Sequence, residues 1–322
     1  MHFDMVVSSS TFVQPPFWFW IVFHCVIGLL IFVDLWVGFK RKHTLTLKEA
    51  FKWVIVWISV GLAFGALTFF LTNPEEAALY YAAYVVEYSL SMDNLFVFAV
   101  IFSYFAVPQV CQPIVLYIGI ITAIILRGGF IFGGLWLIER FHWTILIFGA
   151  VLIFSGYKLF KGGAEQVDPS RNPVVRFAKR FLPLADYYEG KKWIVKSKEG
   201  KRLFTPLILA LVAIETSDII FAFDSVPAVI AITLNFFIAY TSNISAILGL
   251  RSLYFVIALT MFKFKYVGKA LATILVFLGI KLIGSGAEVF EIPTWFSLIV
   301  VFGLLLGSIL LSIIKKGEND SE

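Results

Sequence analysis

Charge is scarce in this chain of 322 residues: Asp, Glu, Lys and Arg make up 15% of it, beside 60% hydrophobic and 17% aromatic residues. A soluble domain runs nearer a quarter charged, so there is too little polar surface here to cover a water-soluble globule. That scarcity excludes a cytosolic enzyme and a disordered chain, and it leaves a polytopic membrane protein. Cysteine is scarce too. Cys25 and Cys111 are the only two, each in or beside an apolar run, which excludes a disulfide framework or a thiolate metal site. His24 and His142 have no second histidine at ligand spacing. The net charge of +5 does not form a basic patch on a soluble domain, so nucleic acid is not an expected partner. Residues 1–16 lack Lys and Arg, and no small-residue cleavage motif follows the first apolar run, so that run is expected to be retained.

What is present is long apolar sequence. A membrane-crossing helix needs roughly 20 mostly apolar residues. Nine segments qualify: 17–38, 52–72, 77–105, 113–138, 142–160, 206–233, 236–261, 268–285 and 295–314. The expectation is an all-α membrane protein of about nine spans. Loop charges orient it. Alternate connections hold Lys40, Arg41, Lys42, Lys48 and Lys52, then eleven basic residues from Lys161 to Arg202, then Lys263, Lys265, Lys269, Lys315 and Lys316, which is 21 of the 26. The opposite side holds only Arg140 beside acidic turns. The N-terminus is therefore expected outside and the C-terminus in the cytoplasm, as a multi-pass protein of the cell inner membrane. Within the long basic segment, 171–184 reads as an interfacial amphipathic helix and 193–204 as a small hairpin.

Ionisable residues inside a bilayer are costly, so each is a candidate for function. The remaining basic residues, Arg127, Lys158, Arg251 and Lys281, all lie in spans, as do Asp34, Glu87, Asp93, Glu215, Asp218 and Asp224. Asp34 is expected near the cytoplasmic end of the first span, within reach of water or a cation. Lys158 and Lys281 are expected to snorkel.

These charges repeat. Glu87-x5-Asp93 matches Asp218-x5-Asp224 at an offset of 131; Gly119-x7-Arg127 matches Asn243-x7-Arg251 at 124; the Gly-x-Lys-Leu at 156–159 matches that at 279–282 at 123. One unit covers three spans. Three is odd, so successive units enter the membrane from opposite sides, the signature of an inverted repeat with a shared site near the midplane. The expected organisation is 1–76 as peripheral helices, 77–163 as the first repeat, 164–205 as the cytoplasmic loop, 206–286 as the second repeat, and 287–322 as a last helix and tail. Spans 77–105 and 206–233 are each about 42–45 Å as helix against a core of about 30 Å. Both are expected to unwind between their paired acids, helped by Ser89, Ser91 and Asn94 in one and Ser217, Ser225 and Pro227 in the other.

The available ligands are oxygens: Glu87, Asp93, Glu215, Asp218 and Asp224, neighboured by Asn94 and Ser225, with Arg127 and Arg251 balancing charge. Carboxylate oxygens suit hard divalent cations over copper or zinc. Five acids and two arginines leave a net of −3, which a divalent ion reduces to −1. Protons and cation would compete for the same oxygens, which points to exchange of one for the other.

The stretches Glu87–Phe98 (EYSLSMDNLFVF) and Glu215–Val229 (ETSDIIFAFDSVPAV) resemble the two signatures of the TerC family, and Asn243–Phe255 (NISAILGLRSLYF) resembles its Alx-like branch. Met92 departs from the branched apolar residue expected there. The resemblance implies an inner-membrane protein of the LysE-like superfamily associated with manganese export and tellurite-resistance loci, with Glu87, Asp93, Glu215, Asp218 and Asp224 as the metal-site acids. The expected activity is proton-linked Mn²⁺ efflux, with Mn²⁺ as cargo, no resident cofactor and no enzymatic role. Other readings are a Ca²⁺ or broader divalent-cation carrier, a membrane anchor of a tellurite or stress-resistance complex with a cytoplasmic partner at the 164–205 loop, and an intramembrane aspartyl protease. The last is disfavoured because no Gly-x-Gly-Asp follows either acid helix.

Overall fold

The structure, a computed structural model, describes residues 16–40, 46–161, 172–197, 200–260 and 267–319. The described chain forms α1 (Phe17–Lys40), α2 (Leu47–Leu71), α3 (Pro74–Tyr104), α4 (Gln112–Arg140), α5 (Thr144–Phe160), α6 (Pro173–Phe181), β1 (Ile194–Lys196), β2 (Arg202–Phe204), α7 (Leu207–Ile232), α8 (Phe236–Leu248), α9 (Leu250–Thr260), α10 (Val267–Gly286) and α11 (Thr294–Asn319). All nine apolar segments fall on helices. Among the described residues, four helices contain stretches long and apolar enough to cross a bilayer: Phe17–Asp34, Leu47–Leu71, Gln112–Arg140 and Gly268–Gly286. Large apolar side chains such as Phe32, Phe70, Ile125, Phe132, Phe154 and Ile299 stand exposed on the outside, as a lipid solvent requires.

Helix starts follow local chemistry. Thr46 and Glu49 form a capping box at α2. Asn73 accepts from the Glu76 amide at 2.8 Å, with Pro74 in the first turn of α3. The expected hairpin pairing is present between β1 and β2, with Ile194 opposite Phe204 and Lys196 opposite Arg202. The amphipathic helix is α6, where Val175 and Ala178 are buried while Phe177 and Phe181 stack at 4.3 Å on its exposed side.

One expectation is corrected. α3 and α7 do not unwind between their acids; both are continuous helices. Two of the hydroxyls expected to loosen them turn back onto their own helix instead: Ser89 donates to the Val85 carbonyl at 2.7 Å and Ser217 to the Ala213 carbonyl at 2.8 Å. Pro227 leaves one carbonyl without its helical bond, yet α7 runs on to Ile232. The interruption falls in segment 236–261, where α8 and α9 meet at Gly249. Phe19 and Phe23 are buried, at 5.2 Å from the Phe237 ring and 4.9 Å from the Phe64 ring, so α1 packs against both α2 and α8.

α5 and α10 cross with their backbones in contact. A Cβ at Gly149 would lie 2.8 Å from the Gly279 carbonyl, and one at Gly279 would lie 2.7 Å from the Gly149 carbonyl. At the same crossing, a Cβ at Gly156 would lie 2.7 Å from the Ala272 carbonyl. Glycine is what permits this approach, and close helix packing is the main source of association in lipid.

Candidate functional site

The charged centre is built where α3, α4 and α7 meet. Arg127 of α4 is fully buried. Its guanidinium forms an ion pair with Glu87 of α3 and another with Asp218 of α7, at 3.2 Å, and donates to the Ser225 hydroxyl at 3.3 Å. Glu87 is fully buried as well and also accepts from Ser91 at 3.5 Å. Thus the first acid of each motif shares one arginine. In a low-dielectric interior such a triad is tolerable only while each charge keeps its partner.

Beside the triad lies a cavity of about 20 Å³, lined by Gly119, Glu215, Asp218 and Arg251 and closed by apolar side chains including Phe98 and Ile214. That is room for about one water-sized body. Glu215 and Asp218 are three residues apart and share a face of α7. Both Glu215 oxygens and Asp218 Oδ2 lack a well-formed hydrogen bond, with the Thr122 hydroxyl only beside Glu215. The absent side chain of Gly119 keeps the wall open, since a Cβ there would stand 3.7 Å from Glu215 Oε1. Three acceptor oxygens left without donors border one small cavity.

The other predicted residues are distributed differently. Asp224 accepts from Ser155 of α5 at 2.5 Å and lies within electrostatic reach of Lys158, so that lysine faces an acid besides any snorkelling role. Arg251 lines the cavity with Glu215 and Asp218 and is itself paired with Asp34. Its Nε donates to Asp34 at 3.0 Å, its Nη2 makes a second bond to the same carboxylate, and it rests 4.7 Å over the Tyr117 ring. Asp34 is buried, and of the two partners expected for it, water or a cation, it has the cation. Asn94 is buried in α3, and Ser225 serves Arg127. The side chain of Asp93 lies outside the described residues. Among those described, no group of three or more His, Cys, Asp or Glu is close enough to hold a metal ion. Sequence reasoning missed Ser155, although it sits one helical turn before Lys158, and missed the partnership of Asp34 with Arg251.

Comparison with known proteins agrees with the motifs. A family model described as "Integral membrane protein TerC family" matches residues 72–320. An uncharacterized membrane protein of Myxococcus xanthus is 40% identical over 297 residues, covering 92% of each chain. One from Rickettsia felis is 38% identical over 301 residues, covering 94% of this chain and 99% of its own. The "Putative membrane-bound redox modulator Alx" of Escherichia coli K12 is 38% identical over 312 residues, covering 94% of this chain and 96% of its own. No solved structure matches. With the acid motifs on α3 and α7 and the family match spanning most of its length, this chain belongs to the TerC family of integral membrane proteins.

Proposed function

We propose that the protein is a proton-linked divalent-cation carrier of the cell inner membrane, exporting Mn²⁺. The observation that carries this reading is the set of donor-less oxygens on Glu215 and Asp218 bordering a cavity of single-ion size. A dehydrated hard cation supplies what those oxygens lack. Glu215 and Asp218 would make first contact with the cargo. Arg127, which holds Glu87 and Asp218 together, would give up one carboxylate as the cation arrives, and protons would compete for the same oxygens on the return. Asp93 and Asp224 would extend the acid set along α3 and α7. The protein acts as a carrier, with no catalytic step and no resident cofactor. Its cytoplasmic loop sets the Phe177 and Phe181 face of α6 among Arg176, Lys179 and Arg180 against anionic lipid or a partner.

The internal repeat is part of this reading, and the α5–α10 crossing supports it. An offset of 123 carries Gly149 to position 272 and Gly156 to position 279. The Gly149–Gly279 contact therefore maps onto the Ala272–Gly156 contact, and both are present. That reciprocity is what a two-fold relation between halves demands. The redox role in the name of the Escherichia coli relative would rest here on Cys25, exposed on α1, and Cys111, buried at the start of α4, both of them free thiols.

Everted membrane vesicles test the proposal, with Mn²⁺, Ca²⁺ and Mg²⁺ offered separately, with and without a proton gradient. Gradient-sensitive Mn²⁺ uptake, lost in Glu215→Gln and Asp218→Asn, is the expected result. Absence of movement of any cation, with both variants matching wild type, would sink it and turn attention to the cytoplasmic loop.

A further inference from the structure

A second group of buried polar atoms without partners lies away from the carboxylates, where α2, α3 and α8 meet. Trp57 Nε1 and the hydroxyls of Tyr84 and Tyr88 have no hydrogen-bond partner, and neither end of the Asn243 amide has one. Asn243 is fully buried, and Trp57 and Tyr84 are each 3% exposed. The three aromatics form one seam. The Tyr84 and Tyr88 rings stack at 5.9 Å, Tyr84 lies against Gly61 of α2, and Trp57 and Tyr88 meet over Gly249, each 3.4 Å from where its Cβ would stand. Each unmade buried bond is costly, and a bilayer core offers no water to relieve it. Ordered water inside the protein is the usual remedy.

The repeat relates this seam to the carboxylate cavity. Tyr84 stands at the position of Glu215 under the offset of 131, and Asn243 at that of Gly119 under 124. Loop charges put the start of α3 outside and the start of α7 inside. Tyr84 lies about 15 Å along α3 and Glu215 about 12 Å along α7, at 1.5 Å per residue, so the two flank the Arg127 triad from opposite sides. One side offers carboxylates; its counterpart offers hydroxyl, indole and amide. We infer that the outward half of the path is a neutral, water-holding chamber lined by Tyr84, Tyr88, Trp57 and Asn243, in which a departing divalent cation regains its hydration shell. The neutral lining suits release, because it coordinates water without competing for the ion as a carboxylate would. Release through this chamber rests on the export reading; the chamber's hydration does not.

Radiolytic hydroxyl-radical footprinting of the full chain in lipid nanodiscs, in ¹⁸O water, tests hydration directly. Tyr80 is the dry reference, fully buried with its hydroxyl bonded to the Gly61 carbonyl, and Tyr187, 46% exposed, is the wet one. Tyr84 and Tyr88 should take up ¹⁸O severalfold faster than Tyr80, and Asn243→Leu should bring Tyr84 down towards the Tyr80 rate. Labelling of Tyr84 no faster than Tyr80 overturns the chamber. In proteoliposomes, Asn243→Leu should slow Mn²⁺ release severalfold, and an unchanged rate with a hydrated chamber overturns its place on the route. If Asn243→Leu fails to fold, Tyr84→Phe replaces it, with labelling read at Tyr88. A wild type that moves no cation defeats the export reading and release through the chamber with it, while the labelling pattern still decides hydration.

Discussion

Arg127 and Arg251 occupy matching positions in the two halves of the sequence, yet the fold gives them different company. Arg127 is locked between Glu87 and Asp218, one acid from each motif, and so ties α3 to α7 through α4. Arg251 faces the cavity but is claimed by Asp34, which α1 brings from outside both halves. A duplicated core with equal arginines would leave the acids evenly neutralised. Here α1 neutralises one arginine, and the carboxylates beside it, Glu215 and Asp218, keep a surplus of negative charge. The first helix thereby decides on which side of the centre the unpaired negative charge is left.

The comparison can be broken most severely at Arg127. Arg127→Leu strands two buried carboxylates and should cost about 3–5 kcal/mol, seen as lost monodisperse protein in detergent, with recovery when Glu87→Gln and Asp218→Asn are added. A double-mutant cycle on Arg251→Leu and Asp34→Asn should return a coupling energy of about 1–3 kcal/mol by thermal unfolding. A coupling near zero would mean that α1 does not neutralise that arginine. Gly279→Ala drives a methyl into the Gly149 carbonyl and should cost about 1–3 kcal/mol. Gly303→Ala, where nothing stands within 4 Å of the added carbon, should change little. Tyr188→Phe, in the segment between α6 and α7, removes a 2.6 Å bond to the Phe105 carbonyl and should cost about 1 kcal/mol. Burial pushes the Tyr188 hydroxyl up to about 12. A raised value favours the protonated form in the folded state, so its contribution is full below about pH 10 and is lost as pH rises towards 12. Unfolding scans across that window should show the wild type losing its advantage over Tyr188→Phe.

The positions of the helices and of the charges were legible because a bilayer leaves an acid or arginine conspicuous in an apolar run. Which charges meet was less so. Arg251 and Asp34 are 217 residues apart, and nothing local in either segment names the other. Helix continuity misled for a related reason: a serine signals a polar group without saying whether its hydroxyl serves a ligand or, like Ser89 and Ser217, its own helix. The glycines of α5 and α10 were visible as a repeated motif, but their role depends on a distant backbone.

That crossing has a mechanical consequence. Two rods whose main chains touch at Gly149–Gly279 and again at Gly156–Ala272 are pinned at two points, and a pair so pinned neither slides nor scissors. α5 and α10 travel as a single strut. The contrast lies at Gly249, where α8 hands over to α9 just before Arg251: helical continuity is broken beside the cavity and kept along the strut.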